Sequence, residues 1–177
     1  MLKELKINGV SAEMEVGSIQ AEELSLNTVS GDLEVTGCTI TESADFDTTS
    51  GAVTAEVLGV LRELCVSTVS GKVSVTAQRI DTVEMGSTSG ALRLSVEVAP
   101  DRIDMSTVSG AVSLILPEDT GMTLRFHTVS GELSSELPGE TDGKDSVFGD
   151  GICECSVDTT SGDLRIQANG SKEENTK

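Results

Sequence analysis

A four-residue motif, Thr/Ser-x-Ser-Gly, occurs seven times in this chain. Its glycines are Gly31, Gly51, Gly71, Gly90, Gly110, Gly131 and Gly162. Successive glycines are 20, 20, 19, 20, 21 and 31 residues apart. A period near 20 residues is typical of repeat architectures, because a unit this short cannot bury its own apolar side and must stack on copies of itself. The repeat therefore constrains the fold more than any other feature.

Strict alternation around each glycine predicts β-strands. The positions seven and five residues before the glycine, and two and four after it, are apolar in every copy except for Ser135. The column seven residues before the glycine, for example, contains Leu24, Ala44, Leu64, Val83, Ile103, Leu124 and Cys155. Period-two alternation indicates strands with one buried face. Stacked copies would lie ~4.8 Å apart, with each column on its counterpart.

We therefore predict an all-β, single-domain, right-handed β-solenoid (β-helix) of about eight coils with a ~20-residue repeat over residues 1–167. Each coil should contain two main strands and a short third strand near Ile40, Val60 or Ile80. Glycine at the bend is expected because it alone enters positive φ without steric cost. Ile7-Asn8-Gly9-Val10 is interpreted as a degenerate opening copy, with Gly9 standing 22 residues before Gly31. The coil boundaries are predicted near residues 22, 42, 62, 81, 101, 122 and 153.

Two segments depart from the repeat. Residues 138–150 fill the long last interval and have the composition of an exposed loop. Their Asp142, Asp145 and Asp150 match neither the EF-hand nor the calcium-binding nonapeptide pattern, so we interpret them as turn residues. Residues 168–177 are polar and are predicted to form a disordered tail.

Composition and charge restrict the function classes. The chain has no Trp or Tyr and three Phe, so its core must be aliphatic. A net charge of −18 argues against binding to nucleic acid or to an anionic membrane. It favours solubility, with a cationic partner as the alternative. The chain has no apolar run of ~20 residues, and Met1–Lys6 lacks the apolar core of a signal peptide. The protein is then either cytoplasmic or a fragment of a longer, anchored, envelope-associated chain.

No catalytic, cofactor or metal site is predicted. The four cysteines form no Cys-x-x-Cys pair and the chain has a single histidine, so zinc-ligand spacing is absent. We interpret the cysteines as core or incidental residues. Asp47, Asp158 and His127 share the column four residues before the glycine. Asp47 and His127 would lie four coils apart, roughly 19 Å, too far to share a proton. A solvated face is the better interpretation.

The motif itself offers a candidate surface. Its Thr and Ser share the parity of the buried columns, so their hydroxyls are expected to point inward and to bond to backbone and to one another. The alternative is an outward hydroxyl array, as in ice-binding solenoids. The residue between them is predicted to point outward, either from strand propensity alone or as a partner-contact ribbon. This ribbon consists of Val29, Thr49, Val69, Thr88, Val108, Val129 and Thr160.

The repeats "TVSGDLEV", "TTSGAVTA", "TVSGKVSV" and "TTSGDLRI", with the closing segment "FGDGICECSVDTTSGDLRI", resemble a bacterial adhesin-like family of unknown function. That family is built of Thr-x-Ser-Gly β-strand repeats, and the resemblance covers about residues 5–167. It implies a β-solenoid associated with the cell envelope, often attached to an anchoring or signalling segment, and it brings no binding residues.

Together these features predict a non-catalytic, adhesin-like or envelope-associated module for a protein or cell-wall partner. A polysaccharide-acting β-helix enzyme and an ice-binding solenoid are the alternatives. Because the ends of a solenoid are sheet edges, an end-to-end homo-oligomer is also open.

Overall fold

The computed structural model describes residues 1–142 and 145–169, and every regular element within them is a β-strand. The strands, in chain order, are β1 Leu2–Asn8, β2 Met14–Gly17, β3 Gln20–Ser30, β4 Leu33–Ser50, β5 Val53–Ser70, β6 Val73–Ser89, β7 Leu92–Val98, β8 Arg102–Thr107, β9 Val112–Pro117, β10 Met122–His127, β11 Leu133–Ser135, β12 Gly139–Asp142, β13 Asp145–Phe148, β14 Cys153–Thr159 and β15 Leu164–Asn169. The predicted all-β solenoid is confirmed.

Two parallel faces meet at the repeated motif. The first face contains the segments before Ser-Gly and runs β1-β3-β4-β5-β6-β8-β14-β10. The second face contains the segments after it and runs β2-β4-β5-β6-β7-β9-β15-β11. The stack amounts to about six full turns. The expected count of about eight coils also includes the shorter end turns, residues 2–17 and 122–135.

The core is the set of inward columns predicted from the alternation. Leu24, Ala44 and Leu64 face one another in register, and Val83, Ile103, Cys155 and Leu124 continue the column. All seven are buried. Among the four predicted columns the members that are not buried are Phe126, Leu133 and Ser135. These three belong to the turn of residues 122–135, which is the last in the stack and has a neighbouring turn on one side only.

The coils do not stack in chain order. Strand β14 pairs with β8 on one side and β10 on the other, and β15 likewise lies between β9 and β11. The final coil is thus inserted between its two predecessors. The 31-residue interval before Gly162 supplies the chain length for this return.

Residues 138–150, expected to be a loop, include an antiparallel hairpin. Strand β12 pairs with β13, and β13 pairs antiparallel with the outer edge of β10. Phe148, 1% exposed, anchors the hairpin in the core. This segment therefore covers the C-terminal edge of the first face. Of the predicted tail, Ala168 and Asn169 belong to β15, and the rest lies outside the described residues.

The repeated glycines allow the backbones of adjacent turns to approach closely at the corner. A Cβ added at Gly71 would overlap the carbonyl oxygen of Gly51, and the same clash with the preceding turn recurs at Gly51, Gly90, Gly110, Gly131 and Gly162. Of the motif glycines, only Gly31 and Gly51 have positive φ, nearly extended at 151° and 157°. The expectation of a general positive-φ bend was wrong. Left-handed glycines occur instead at the next corner, where Gly37 has φ 60° and Gly59 has φ 80°.

The predicted third strand exists as a continuation of the long strands β4, β5 and β6. Ile40 and Ile80 are fully buried there, as expected. Val60 is 51% exposed, and its neighbour Leu61 takes the buried position and pairs with Ile80. Gly59 is one residue more than β6 has at this corner. An unbroken 20-residue period therefore predicts Val60 at the buried position that Leu61 occupies.

The opening copy of the motif is Gly9-Val10-Ser11-Ala12. Asn8 pairs with Asn27, the Ser30 amide donates to the Val10 carbonyl at 2.9 Å, and a Cβ on Gly31 would meet the Ala12 carbonyl. Gly9 therefore aligns with Thr28, 19 residues away. The expected N-terminal coil is present, because β1 and β2 form the first turn of the stack. Ala12 can carry a Cβ because no described turn precedes it.

Candidate interaction surface

The alternation of inward and outward side chains breaks at the motif. Thr28, Thr48 and Thr68 are 5–6% exposed, as the inward prediction requires. The following residue points outward, and the serine after it is also exposed at most copies, contrary to its predicted inward orientation. Two successive outward residues mark the corner, and the Ser30 hydroxyl there lies 3.4 Å from the Val10 carbonyl.

The buried threonine hydroxyls do not form the expected hydrogen-bonded ladder. Within the described residues no hydrogen-bond partner is found for Thr28, Thr48, Thr68, Ser87, Thr107, Thr128 or Thr159. The stacked threonines repeat at a rise of ~4.8 Å, whereas the Ser30 hydroxyl lies 3.2 Å from the Ser11 hydroxyl of the neighbouring turn, as the predicted bonding up the stack requires. These threonines are turned inward and do not contribute to the outward hydroxyl array of an ice-binding solenoid, whereas most of the motif serines are exposed.

The outward residues of the motif form a ridge along the stack. In spatial order the ridge residues are Val10, Val29, Thr49, Val69, Thr88, Val108, Thr160 and Val129. All are exposed, and the valines are 50–83% exposed. The seven predicted ribbon residues are thus brought into one line. Whether they contact a partner remains a prediction.

Two properties of the ridge were not visible in the sequence. Val10 was missed because the opening copy has lost both its Thr and its Gly. The insertion of the last coil places Thr160 between Val108 and Val129. From Val29 onward, valine and threonine therefore alternate strictly along the ridge, whereas chain order ends in Val108, Val129 and Thr160.

A shallow groove of about 350 Å³ adjoins the C-terminal half of the ridge. Val108, Val129 and Thr160 line it from the ridge, and His127 and Asp158 line it from the first face. His127 Nδ1 lies 3.3 Å from Asp158 Oδ1, and both side chains are at least half exposed. The next residue in the column beyond Asp158 is Ser106, which also lines this groove, one turn farther from His127.

The centre of the first face is acidic. A groove of about 380 Å³ lies over Gly86, between Asp47, Glu84, Asp104 and Asp158. Burial, and secondly the neighbouring Asp45, raises the pKa of Asp47. Asp47 lies several turns from His127, as predicted, so the two do not cooperate.

The second face has a mixed charge, with exposed acidic residues such as Glu34, Glu56 and Asp163 beside cationic ones. Its central turns present Lys72, Arg93 and Arg165, separated by small or hydroxyl residues such as Ser74 and Ser113. The ridge therefore separates an acidic face from a face of mixed charge.

The cysteines are free thiols. Burial, followed by the charge of Asp101, raises the pKa of Cys153 to about 12, and burial also raises the pKa of Cys155. Cys65 lies on the acidic face, where desolvation and then Asp45 raise its pKa to about 11. Raised pKa values leave these thiols protonated at neutral pH and poorly nucleophilic.

Within residues 1–142 and 145–169 no group of three His, Cys, Asp or Glu side chains is placed to hold a metal ion. In the same part of the chain no helix has the length and apolar character needed to cross a membrane.

These features define a β-solenoid with a repeated glycine corner and an exposed ridge. The family model Toastrack DUF4097 matches residues 1–167, and the chain belongs to this family of domains of unknown function. The Toastrack fold is a solenoid, in agreement with the structure. The comparisons with curated proteins and with solved structures gave no match.

Proposed function

We propose that this domain is a non-catalytic interaction module whose ridge binds a protein partner, in the manner of an adhesin-like module at the cell envelope. The observation that carries the proposal is the ridge itself. It extends β-branched side chains over eight turns, roughly 34 Å at the stacking rise. From Val29 onward its exposed valines are separated by single threonines and so form one continuous β-branched line, and clustered exposed apolar side chains mark interaction sites more often than isolated ones do.

The surroundings of the ridge suit recognition of an extended partner. Every residue on the ridge belongs to a turn held by hydrogen bonds on one or both sides, which limits the backbone motion of the ridge. The groove beside Val108 and Val129 offers a depression for one partner side chain. The acidic face along one flank favours a partner with cationic groups there, and such charges set specificity and association rate.

A matched pair of triple variants tests the proposal. In the ridge variant Val69, Val108 and Val129 are changed to serine. In the control Leu58, Val60 and Val98, exposed apolar residues away from the ridge, are changed to serine. Each protein is immobilised and exposed to envelope and soluble fractions of the source cell at low and high salt, with captured proteins quantified by mass spectrometry.

The expected result is a protein retained by the parent and the control but depleted by the ridge variant. With that partner purified, the ridge variant should bind at least about tenfold more weakly, as expected for loss of interface hot spots. Equal binding by the ridge variant and the parent would overturn the proposal. Turnover of polysaccharide by the purified domain would instead support the enzymatic alternative.

A further inference from the structure

The first face ends differently at its two ends. The outer edge of β10 is covered by β13, whereas β1 pairs only with β3 among the described strands. The inward residues Leu5 and Ile7 are partly buried, although their neighbours Leu24 and Leu26 are fully buried, and Leu2 is 49% exposed. An open sheet edge with exposed apolar residues is a template for another strand.

We propose that β1 pairs antiparallel with β1 of a second copy of this chain, around a two-fold axis at Leu5. In this register Leu5 faces Leu5 of the partner subunit. Glu4 faces Lys6 of the partner subunit, and Lys6 faces Glu4 of the partner subunit. The two Glu4–Lys6 pairs beside the axis then join opposite charges, which stabilises an antiparallel ladder, while Leu2 faces Asn8 of the partner subunit and Lys3 faces Ile7 of the partner subunit.

The charge pattern of β1 selects this register. In a pair of strands, directly opposed residues lie on the same side of the sheet, so a shift of the partner by one residue would place outward residues opposite inward ones. The register can therefore change only by two residues at a time. The neighbouring register in one direction would place Glu4 against Glu4, and the one in the other direction would place Lys6 against Lys6. The overall charge of −18 does not prevent pairing at this end, because residues 1–19 contain two Lys and three Glu and contribute only −1.

The proposed contact is isologous and uses the same edge in both copies, so it yields a closed head-to-head dimer and not a fibre. At the other end the first face continues past β10 into the hairpin, where β12 pairs only with β13 among the described strands. One strand pair buries little surface, so we expect a reversible dimer with a dissociation constant in the micromolar range or weaker.

Sedimentation velocity at physiological salt with reductant tests the proposal over protein concentrations from about 5 to 500 μM, the range expected for a small interface. The parent should shift reversibly from monomer to dimer. Glu4→Lys and Lys6→Glu should each weaken the homodimer at least about tenfold, because every opposite-charge pair becomes a like-charge pair. Lys72→Glu, on the second face, should leave dimerisation unchanged.

Mixing the two single variants is the decisive measurement. Glu4→Lys presents two lysines and Lys6→Glu presents two glutamates, so the mixture should form a heterodimer although neither variant forms a homodimer. The exchange of both charges within one chain, Glu4→Lys with Lys6→Glu, should restore the homodimer. A parent that stays monomeric throughout, or a dimer that is indifferent to these exchanges, would overturn the proposal. Thermal melting checks that each variant is folded.

Discussion

The interior turns of this solenoid and its end turns obey different residue rules. An interior turn has neighbours above and below, so its inward columns are completely buried and its corner requires glycine. At the N-terminal end Leu5 and Ile7 are partly exposed, and Ala12 replaces glycine. At the C-terminal end Phe126 and Leu133 are partly exposed, and a hairpin covers β10. The identity of a residue in a repeat thus depends on whether its turn has neighbours.

A buried charge should show the largest difference between these regions. Leu64→Asp places a carboxylate in the middle of a fully buried column, and we expect it to cost about 4 kcal/mol or more, or to prevent folding. Leu5→Asp, in the same column at the open end, should cost much less because the carboxylate can reach water. Chemical denaturation of both variants measures the difference. Equal costs would contradict the column assignment.

The hairpin contributes the next effect. Phe148→Ala removes a buried ring that holds the hairpin against β10, and we expect a loss of about 3–5 kcal/mol, as for other buried aromatic truncations. The hydrogen-exchange protection of β10 should fall with it. Val147→Ala, an exposed position on the same strand, serves as the control and should change little. If β10 keeps its protection in the Phe148 variant, the hairpin is not what covers that edge.

The glycine corner gives a third comparison. Gly71→Ala forces a Cβ against the Gly51 carbonyl, and we expect a loss of about 2–3 kcal/mol in the free energy of unfolding. Ala12→Gly, at the equivalent position of the first turn, relieves no such contact and should cost under about 1 kcal/mol, through backbone entropy alone. Similar large losses at the two positions would argue against the close contact between turns.

Removal of a buried hydroxyl should be stabilising. Thr68→Val preserves shape and eliminates an oxygen that has no hydrogen-bond partner in the described part of the chain, so we expect a gain of about 1 kcal/mol. Thr49→Val, on the exposed ridge, should be nearly neutral. Thermal and denaturant unfolding measure both. A loss of stability at Thr68 would show that its hydroxyl is bonded.

The smallest effect is expected at Asp47. The same column contains Asn8 and Asn27 in the first two turns, where the Asn27 side-chain amide donates a hydrogen bond to Asn8 Oδ1 at 3.2 Å. The raised pKa of Asp47 means that the folded state favours its protonated form. Its charge therefore lowers stability as the pH rises from below about 4 through the raised value. Asp47→Asn should gain up to about 0.5 kcal/mol at neutral pH, limited by solvent screening, and nothing at low pH. A gain independent of pH would exclude this cause.

The sequence predicted the faces and the columns because both depend on local alternation. It failed where a residue's role depends on which turn is its neighbour. The order of the last coils could not be predicted, because Gly131 and Gly162 fit a stack in either order. The requirement for glycine was missed because it arises from close contact with the carbonyl oxygen of another turn. Val10 was missed because Gly9 and Ala12 hide the motif. The ridge residues themselves followed from parity alone.

The insertion of the final coil has a consequence for synthesis of the chain. Residues 102–117 leave the ribosome before residues 122–135, yet these two segments are separated in the finished protein by residues 153–169. Earlier turns can dock as they emerge, each on the one before it. The turn of residues 122–135 has no place on the stack until almost the whole domain has been translated. The end of the ridge formed by Thr160 and Val129 therefore exists only once the last coil is in place.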